Sequence, residues 1–260
     1  MPRAMRIHLV EISPALRALQ QTTLRGHDVT WHDSIGQALA SADGPTIVVG
    51  NEFLDALPIH QLTRTERGWH ERMVDVDDHG DRLVPIVAPP ASPLEALVPA
   101  RLRQSPPGSV VEICPAALDI MGELGAHLTQ QGGAALFIDY GHIRSGVGET
   151  LQAMAGHSYA DPFDAPGEAD LTAHVDFEQL ARTAAEAGLR LHGPTSQGAF
   201  LEALGIRQRA ERLVAGSPAR RGEITAALDR LVASQEMGTL FKVVAFSASA
   251  WPAPAGFDTP

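Results

Sequence analysis

The run Gly167-Glu168-Ala169-Asp170-Leu171-Thr172-Ala173-His174-Val175-Asp176-Phe177 gathers carboxylates and a histidine in a segment with neither a two-residue nor a 3.6-residue apolar period. Residue types of this kind bind cations, orient polar substrates or move protons. Asp176 is suited to cap a helix over Phe177 to Ala187 that ends at Gly188. Glu168, Asp170 and His174 precede that helix and need other partners. A buried polar network is the alternative reading, because structural networks also collect Asp and His. A second run, Asn51-Glu52-Phe53-Leu54-Asp55-Ala56-Leu57-Pro58, directly follows the apolar stretch Thr46-Ile47-Val48-Val49. Open parallel sheets hold their ligands beyond such strand ends. Two runs of this kind in one chain favour a functional site.

The elements that must position these residues alternate. Ile7 to Glu11 is a short strand, and Ser13-Pro14 opens a helix over Ala15 to Leu24 with a capping hydroxyl and a first-turn proline. A strand over Asp28 to His32, a helix over Ile35 to Ala42 and a buried strand over Thr46 to Gly50 follow, which predicts a parallel sheet. From Ile59 to Val87 the pattern becomes charged and alternating, in segments His60 to Thr65, Trp69 to Val76 and Arg82 to Val87. This reads as a β-meander insertion over residues 59–88. The proline-rich Ala88 to Pro93 and Ser105-Pro106-Pro107-Gly108 read as stiff connectors.

In Pro115 to Gln131, apolar Leu118, Met121, Leu124 and Leu128 recur at helical spacing, and Ala134 to Asp139 is the next strand. Residues 140–175 read as a long glycine-rich loop, of a length that inside a compact domain is usually functional. A short strand over Leu189 to His192, helices over Gln197 to Val214 and Arg220 to Ser234, and a strand over Leu240 to Ser247 complete a single domain spanning residues 1–250. Trp251 to Pro260 is expected to be a disordered tail.

The formal net charge of −11 opposes sequence-independent binding to a phosphate backbone, so nucleic acid is not an expected partner. The single cysteine, Cys114, excludes an internal disulfide and multi-cysteine metal or iron–sulfur sites. No apolar run approaches the roughly 20 residues of a membrane span. The opening Met1-Pro2-Arg3-Ala4-Met5-Arg6 has no apolar core for a secretory signal. A cytoplasmic location is the expectation from these features.

Val10-Glu11-Ile12-Ser13-Pro14, Trp31-His32-Asp33-Ser34, Gly50 to Pro58, Ile138-Asp139-Tyr140-Gly141-His142 and Gly167 to Phe177 stand in an order that resembles the MidA family of class I S-adenosylmethionine-dependent methyltransferases. That family includes the mitochondrial complex I assembly-factor arginine methyltransferase. The resemblance implies an α/β, Rossmann-like class I methyltransferase sheet with extra C-terminal helices, S-adenosyl-L-methionine as cofactor, and a protein substrate, arginine in a respiratory complex subunit. Glu11 at its strand end is placed to accept the hydroxyls of a ribose. Asp33 and Ser34 then face the adenine, although Asp33 also suits a helix cap. Asn51 and Glu52 fall where methyl donor and acceptor meet. Glu52, Asp55 and Asp170 are candidates to clamp a charged guanidinium, and His142 or His174 to take the surplus proton.

The family begins with a strand and a Gly-x-Gly-x-Gly turn upstream of the Glu11 strand, and neither is present here. The expectation is a sheet lacking its first strand, from a truncated gene product or a misplaced start codon, with β-addition by a partner as a third explanation. A chain of this family that lost the cofactor turn and acts only as a binding or assembly protein is the alternative function. A metal-dependent hydrolase built on His157, Asp161, Asp170 and His174 is a third reading, although their spacing matches no common zinc signature.

Overall fold

The computed structural model describes residues 5–156 and 158–257. Strand β1 (Ile7–Val10) leads into helix α1 (Pro14–Thr23), whose first turn is capped by Ser13 Oγ accepting from the Leu16 amide, with Pro14 at a position that needs no donor. Strand β2 (Val29–His32) pairs in parallel with β1, and Ser34 caps helix α2 (Ile35–Ala40) in the same manner. Strand β3 (Thr46–Asn51) belongs to a different hydrogen-bonded sheet. Among the described residues no strand joins β1 to β3. Ile47 and Val49 on β3 are 76% and 64% exposed, values foreign to a strand covered on both faces.

The meander is β4 (His60–Thr65), β5 (Gly68–Val76) and β6 (Leu83–Ala91), and β7 (Val110–Ile113) closes the free edge of β4 to give the order β6-β5-β4-β7. Its own core is Leu62, Trp69, Val98, Val111 and Ile113. Strand β6 runs on through Pro89 and Pro90, which the sequence reading assigned to a connector. The difference is that β6 lies at the sheet edge, where a proline leaves no partner unbonded.

Helix α3 (Pro115–Gln131) buries Met121, Leu124 and Leu128 in the main core with Phe137 and Phe246. Strand β8 (Gly133–His142) is central, with β3 parallel to it and β14 (Phe241–Ser247) antiparallel. Residues 143–174, expected as loop, contain a small sheet of β9 (Gln152–Ala155), β10 (Ser158–Ala160) and β11 (Asp170–Thr172) in the order β10-β9-β11. These strands are too short to announce a period-2 pattern. Strand β12 (Val175–Asp176) then pairs with the last two residues of β8 and opens helix α4 (Phe177–Glu186).

Strand β13 (Arg190–Ser196) flanks β14 on the outside. Helices α5 (Gln197–Ala203) and α6 (Ile206–Gly216) were expected as one, but Gly205 with φ +82 breaks it. Helices α7 (Arg221–Val232) and α8 (Met237–Leu240) precede β14. The expected disordered tail is corrected for residues 251–257. The Phe257 ring packs tilted against Phe200 with centroids 5.2 Å apart, and Trp251 covers Gly132. Residues 258–260 lie outside the described ones.

Helices α3 and α4 meet closely because Gly125 has no side chain. A Cβ there would stand 2.3 Å from the Ala187 Cβ. Gly125→Val is expected to force the helices apart and lower the unfolding free energy by about 1–3 kcal/mol, measured by urea denaturation.

Candidate active site at the carboxyl ends of the sheet strands

Strands β3 and β8 run side by side, and a constrained turn follows the carboxyl end of β3. Beyond β3, the Glu52 amide donates to the Ile138 carbonyl at 2.9 Å, and Glu52 adopts φ +48. A non-glycine residue in the left-handed region is held there by its surroundings. Those surroundings are Asp139, only 1% exposed, whose Oδ2 accepts the amides of Phe53, Leu54 and Asp55 at 3.2, 3.0 and 3.3 Å. Its Oδ1 accepts the Tyr140 amide at 3.0 Å. Burial, with the neighbouring Asp55 carboxylate, pushes the Asp139 carboxyl up to about 7 despite these donors. Asp139 stands within the Ile138-Asp139-Tyr140-Gly141-His142 motif and carries no expected role from the sequence alone. Its signal was a lone carboxylate closing the apolar strand Ala134-Ala135-Leu136-Phe137-Ile138.

The residues expected to hold a nucleoside lie at three strand ends. Just past β1, Glu11 accepts the Ser13 amide on Oε1 at 2.8 Å and the Gln20 side chain on Oε2 at 2.9 Å. A carboxylate offers about four acceptor positions, so two remain. Past β2, Asp33 takes the Arg17 guanidinium at 2.6 Å, and the same Arg17 Nη2 also reaches the carbonyls of Glu11 and His32. Arg17 therefore ties the ends of β1 and β2 together. Ser34 Oγ is engaged as the α2 cap. Past β3, exposed Asn51 donates to Glu52 Oε1 at 3.2 Å.

The three carboxylates expected to clamp an acceptor differ in their surroundings. Glu52 and Asp170 are exposed, whereas Asp55 is 5% exposed and turned inward, its Oδ1 buried without a hydrogen-bond partner. Among the described residues no hydrogen bond joins the three. Backbone geometry explains the inward turn: Asp55 follows the segment pinned by Asp139, and its carbonyl accepts the Ala173 amide.

The two candidate histidines do come together. His142 at the end of β8 and His174 before β12 both line one cavity, next to Asp176, whose Oδ2 is 3.7 Å from His142 Nε2. Burial, with the nearby His142, holds the His174 pKa below its ordinary value, and Tyr140 meets its ring edge-on at 5.5 Å. Burial likewise pushes the Tyr140 hydroxyl up to about 12, so it stays protonated. Glu112, given no role in the sequence reading, lines the same cavity and anchors its Thr150 wall by accepting from the Thr150 amide and hydroxyl and from the Leu151 amide. Among the described residues no three His, Cys, Asp or Glu side chains form a group able to hold a metal ion. His157 of the hydrolase reading lies outside the described residues.

Residues 1–195 match the family model described as "Putative S-adenosyl-L-methionine-dependent methyltransferase". The chain belongs to this family. It is 36% identical over 263 residues to the mitochondrial protein arginine methyltransferase NDUFAF7 of Mus musculus, covering 92% of this chain and 58% of that protein. The Homo sapiens protein of the same name is 32% identical over 264 residues, with 92% and 58% covered. The chain thus spans less than two thirds of these relatives. A Burkholderia thailandensis protein crystallised with S-adenosyl-homocysteine superposes with TM-score 0.77 at 33% identity, over 97% of this chain and 64% of that one. The mixed α/β sheet is accordingly Rossmann-like, as expected. The cytoplasmic location expected from the sequence is corrected: the curated relatives are mitochondrial by name. No helix among the described residues is long and apolar enough to cross a membrane.

The strand-end residues fit the family's cofactor in part. Glu11 keeps two acceptor positions free, as a ribose diol requires, whereas Asp33 is paired with Arg17 and Ser34 Oγ is engaged as the α2 cap. The turn after β1, Glu11-Ile12-Ser13, contains no glycine, and Pro14 removes a backbone donor, so this turn offers no amide cradle for the methionine end.

Proposed function

We propose that this chain works as a methyltransferase that modifies a nitrogen of a protein side chain, an arginine given its relation to the mouse and human proteins, with a respiratory complex subunit as the substrate class. The observation that carries the reading is Glu11, a carboxylate with open acceptor positions at a strand end of a chain belonging to this family. S-adenosylmethionine, when bound, supplies an electrophilic methyl group on a sulfonium. Displacement at that carbon needs alignment more than a strong base. The Asn51–Asp55 turn, fixed by Asp139, provides the rigid edge against which donor and acceptor align. Exposed Glu52 and Asp170 draw a cationic acceptor toward the site. His174, neutral near pH 7 because burial disfavours its charged form, takes the proton from the attacking nitrogen on a ring nitrogen, and Tyr140 keeps that ring oriented.

A second reading, a binding or assembly protein without catalysis, is favoured by the engagement of Asp33 with Arg17. Calorimetric titration of the folded chain with S-adenosylmethionine separates the two. Glu11→Ala is expected to weaken binding at least tenfold, the scale of one lost bidentate charge-assisted contact of about 1.4 kcal/mol or more. A folded wild-type chain that shows no heat of binding with the cofactor favours the second reading.

A further inference from the structure

Glu11 is fixed along its backbone from both sides. Its amide donates to the His32 carbonyl at 3.1 Å, and its carbonyl accepts from the Arg17 guanidinium. What stays free in such a residue is the side chain, whose torsions give a half-buried glutamate many rotamers. Two donors remove that freedom. The Ser13 amide reaches Oε1 at 2.8 Å and Gln20 Nε2 reaches Oε2 at 2.9 Å. Each oxygen takes one donor and keeps one open position, the count that two neighbouring hydroxyls need.

Gln20 is itself oriented. The Trp31 indole Nε1–H donates to Gln20 Oε1 at 2.9 Å. An indole nitrogen can only donate, so it settles which end of the amide is oxygen and leaves the Nε2 end to face Glu11. An amide turned the other way would set its oxygen against the carboxylate and its N–H groups against the indole N–H. The relay runs from β2 across α1 to the end of β1. A purely structural account makes these bonds fasteners of α1. Arg17, three residues earlier on the same helix face, already ties that helix to the backbones of Glu11 and His32. What Gln20 adds is a hold on the carboxylate alone.

We propose that Gln20 and Trp31 are positioning residues of the cofactor site: the indole fixes the amide, and the amide holds the Glu11 carboxylate in the one rotamer that meets the ribose hydroxyls. The assignment deepens the methyltransferase reading and rests on it for the word ribose. Neither residue is assigned a contact with the ligand. Their effect is preorganisation, since a carboxylate already ordered gives up no rotamer freedom on binding.

Three-bond couplings along the Glu11 side chain, measured by NMR on the ligand-free chain, are expected to show one rotamer in the wild type and averaged values in Gln20→Met. Trp31→Phe keeps an aromatic ring and removes the indole N–H, and should average the couplings to a smaller extent. Calorimetry reads the consequence. Gln20→Met should weaken S-adenosyl-homocysteine about tenfold and Trp31→Phe about threefold, the scale of one side chain to be immobilised on binding. The 2′,3′-dideoxy analogue presents no hydroxyl to Glu11, and both variants should bind it as the wild type does. In the Gln20→Met background Trp31→Phe should cost nothing further, because the indole acts through the amide. Each variant is checked for folding by circular dichroism, and if Gln20→Met fails to fold, Trp31→Phe decides.

Averaged couplings in the wild type, or unchanged couplings in a folded variant, overturn the assignment. So does a loss of affinity for the dideoxy analogue equal to that for S-adenosyl-homocysteine, which is the mark of a site merely loosened. A wild-type chain that binds no S-adenosyl-homocysteine strikes the methyltransferase reading and with it the word ribose, while the couplings still decide whether Gln20 and Trp31 hold the carboxylate.

Discussion

Asp139→Ala is expected to lower the unfolding free energy by about 3 kcal/mol or more and to free the turn from Asn51 to Asp55. The amides of Phe53, Leu54, Asp55 and Tyr140 all end on this one carboxylate. Each buried donor left unpaired costs about 1–3 kcal/mol, reduced where the turn can relax toward water. Relaxation is the functional cost, because Glu52 keeps its left-handed φ only while its neighbours are pinned. Asp139→Asn retains one oxygen and should lose less stability than Asp139→Ala. Urea denaturation measures the stability change, and hydrogen exchange of the Phe53 and Leu54 amides measures the freed turn. Amides that stay protected in Asp139→Ala refute the account.

Much of this turn was legible in the sequence and its cause was not. The Asn51 to Pro58 run announces a site by following an apolar strand. Nothing in its spacing says that Asp55 turns inward, because that is decided by a carboxylate 84 residues later in the chain. The same holds for the support of Glu11. Glu11 stands out as a carboxylate at a strand end, whereas Gln20 reads as an ordinary polar helix residue until its amide is seen between Trp31 and Glu11. Local signals did well where local physics decides at Ser13 and Asp176, which cap the helices they precede, whereas α2 is capped by Ser34 and not by Asp33, the residue the sequence offered for that place. The strands of residues 152–172 were missed for the complementary reason, since three- and four-residue strands are held by pairing with one another.

The Asp55 and Asp139 pair should give stability a distinct pH dependence. Asp139 is pushed up to about 7 in the folded chain from 3.8, first by burial and then by the Asp55 charge. Between these values the native state keeps a proton that the unfolded chain has released, so stability falls as pH rises. The contribution is fully present below about pH 4 and lost as pH passes 7. At 1.36 kcal/mol per unit, the folded chain should be about 2–3 kcal/mol less stable at pH 8 than at pH 5 from this group. Asp55→Asn removes the neighbouring charge, lets the four amide donors favour the Asp139 carboxylate, and should reduce that difference, with the part due to burial remaining. Paired urea titrations of wild type and Asp55→Asn at the two pH values read the slope directly. An unchanged slope would mean that burial alone governs Asp139, and that Asp55, inward and half-unpaired, serves the turn through its carbonyl contact with Ala173. A flattened slope instead makes the Asp55 charge a cause of the raised Asp139 pKa, so that the rigidity of the Asn51–Asp55 turn varies with pH through Asp139 in the range where a neutral His174 must accept its proton.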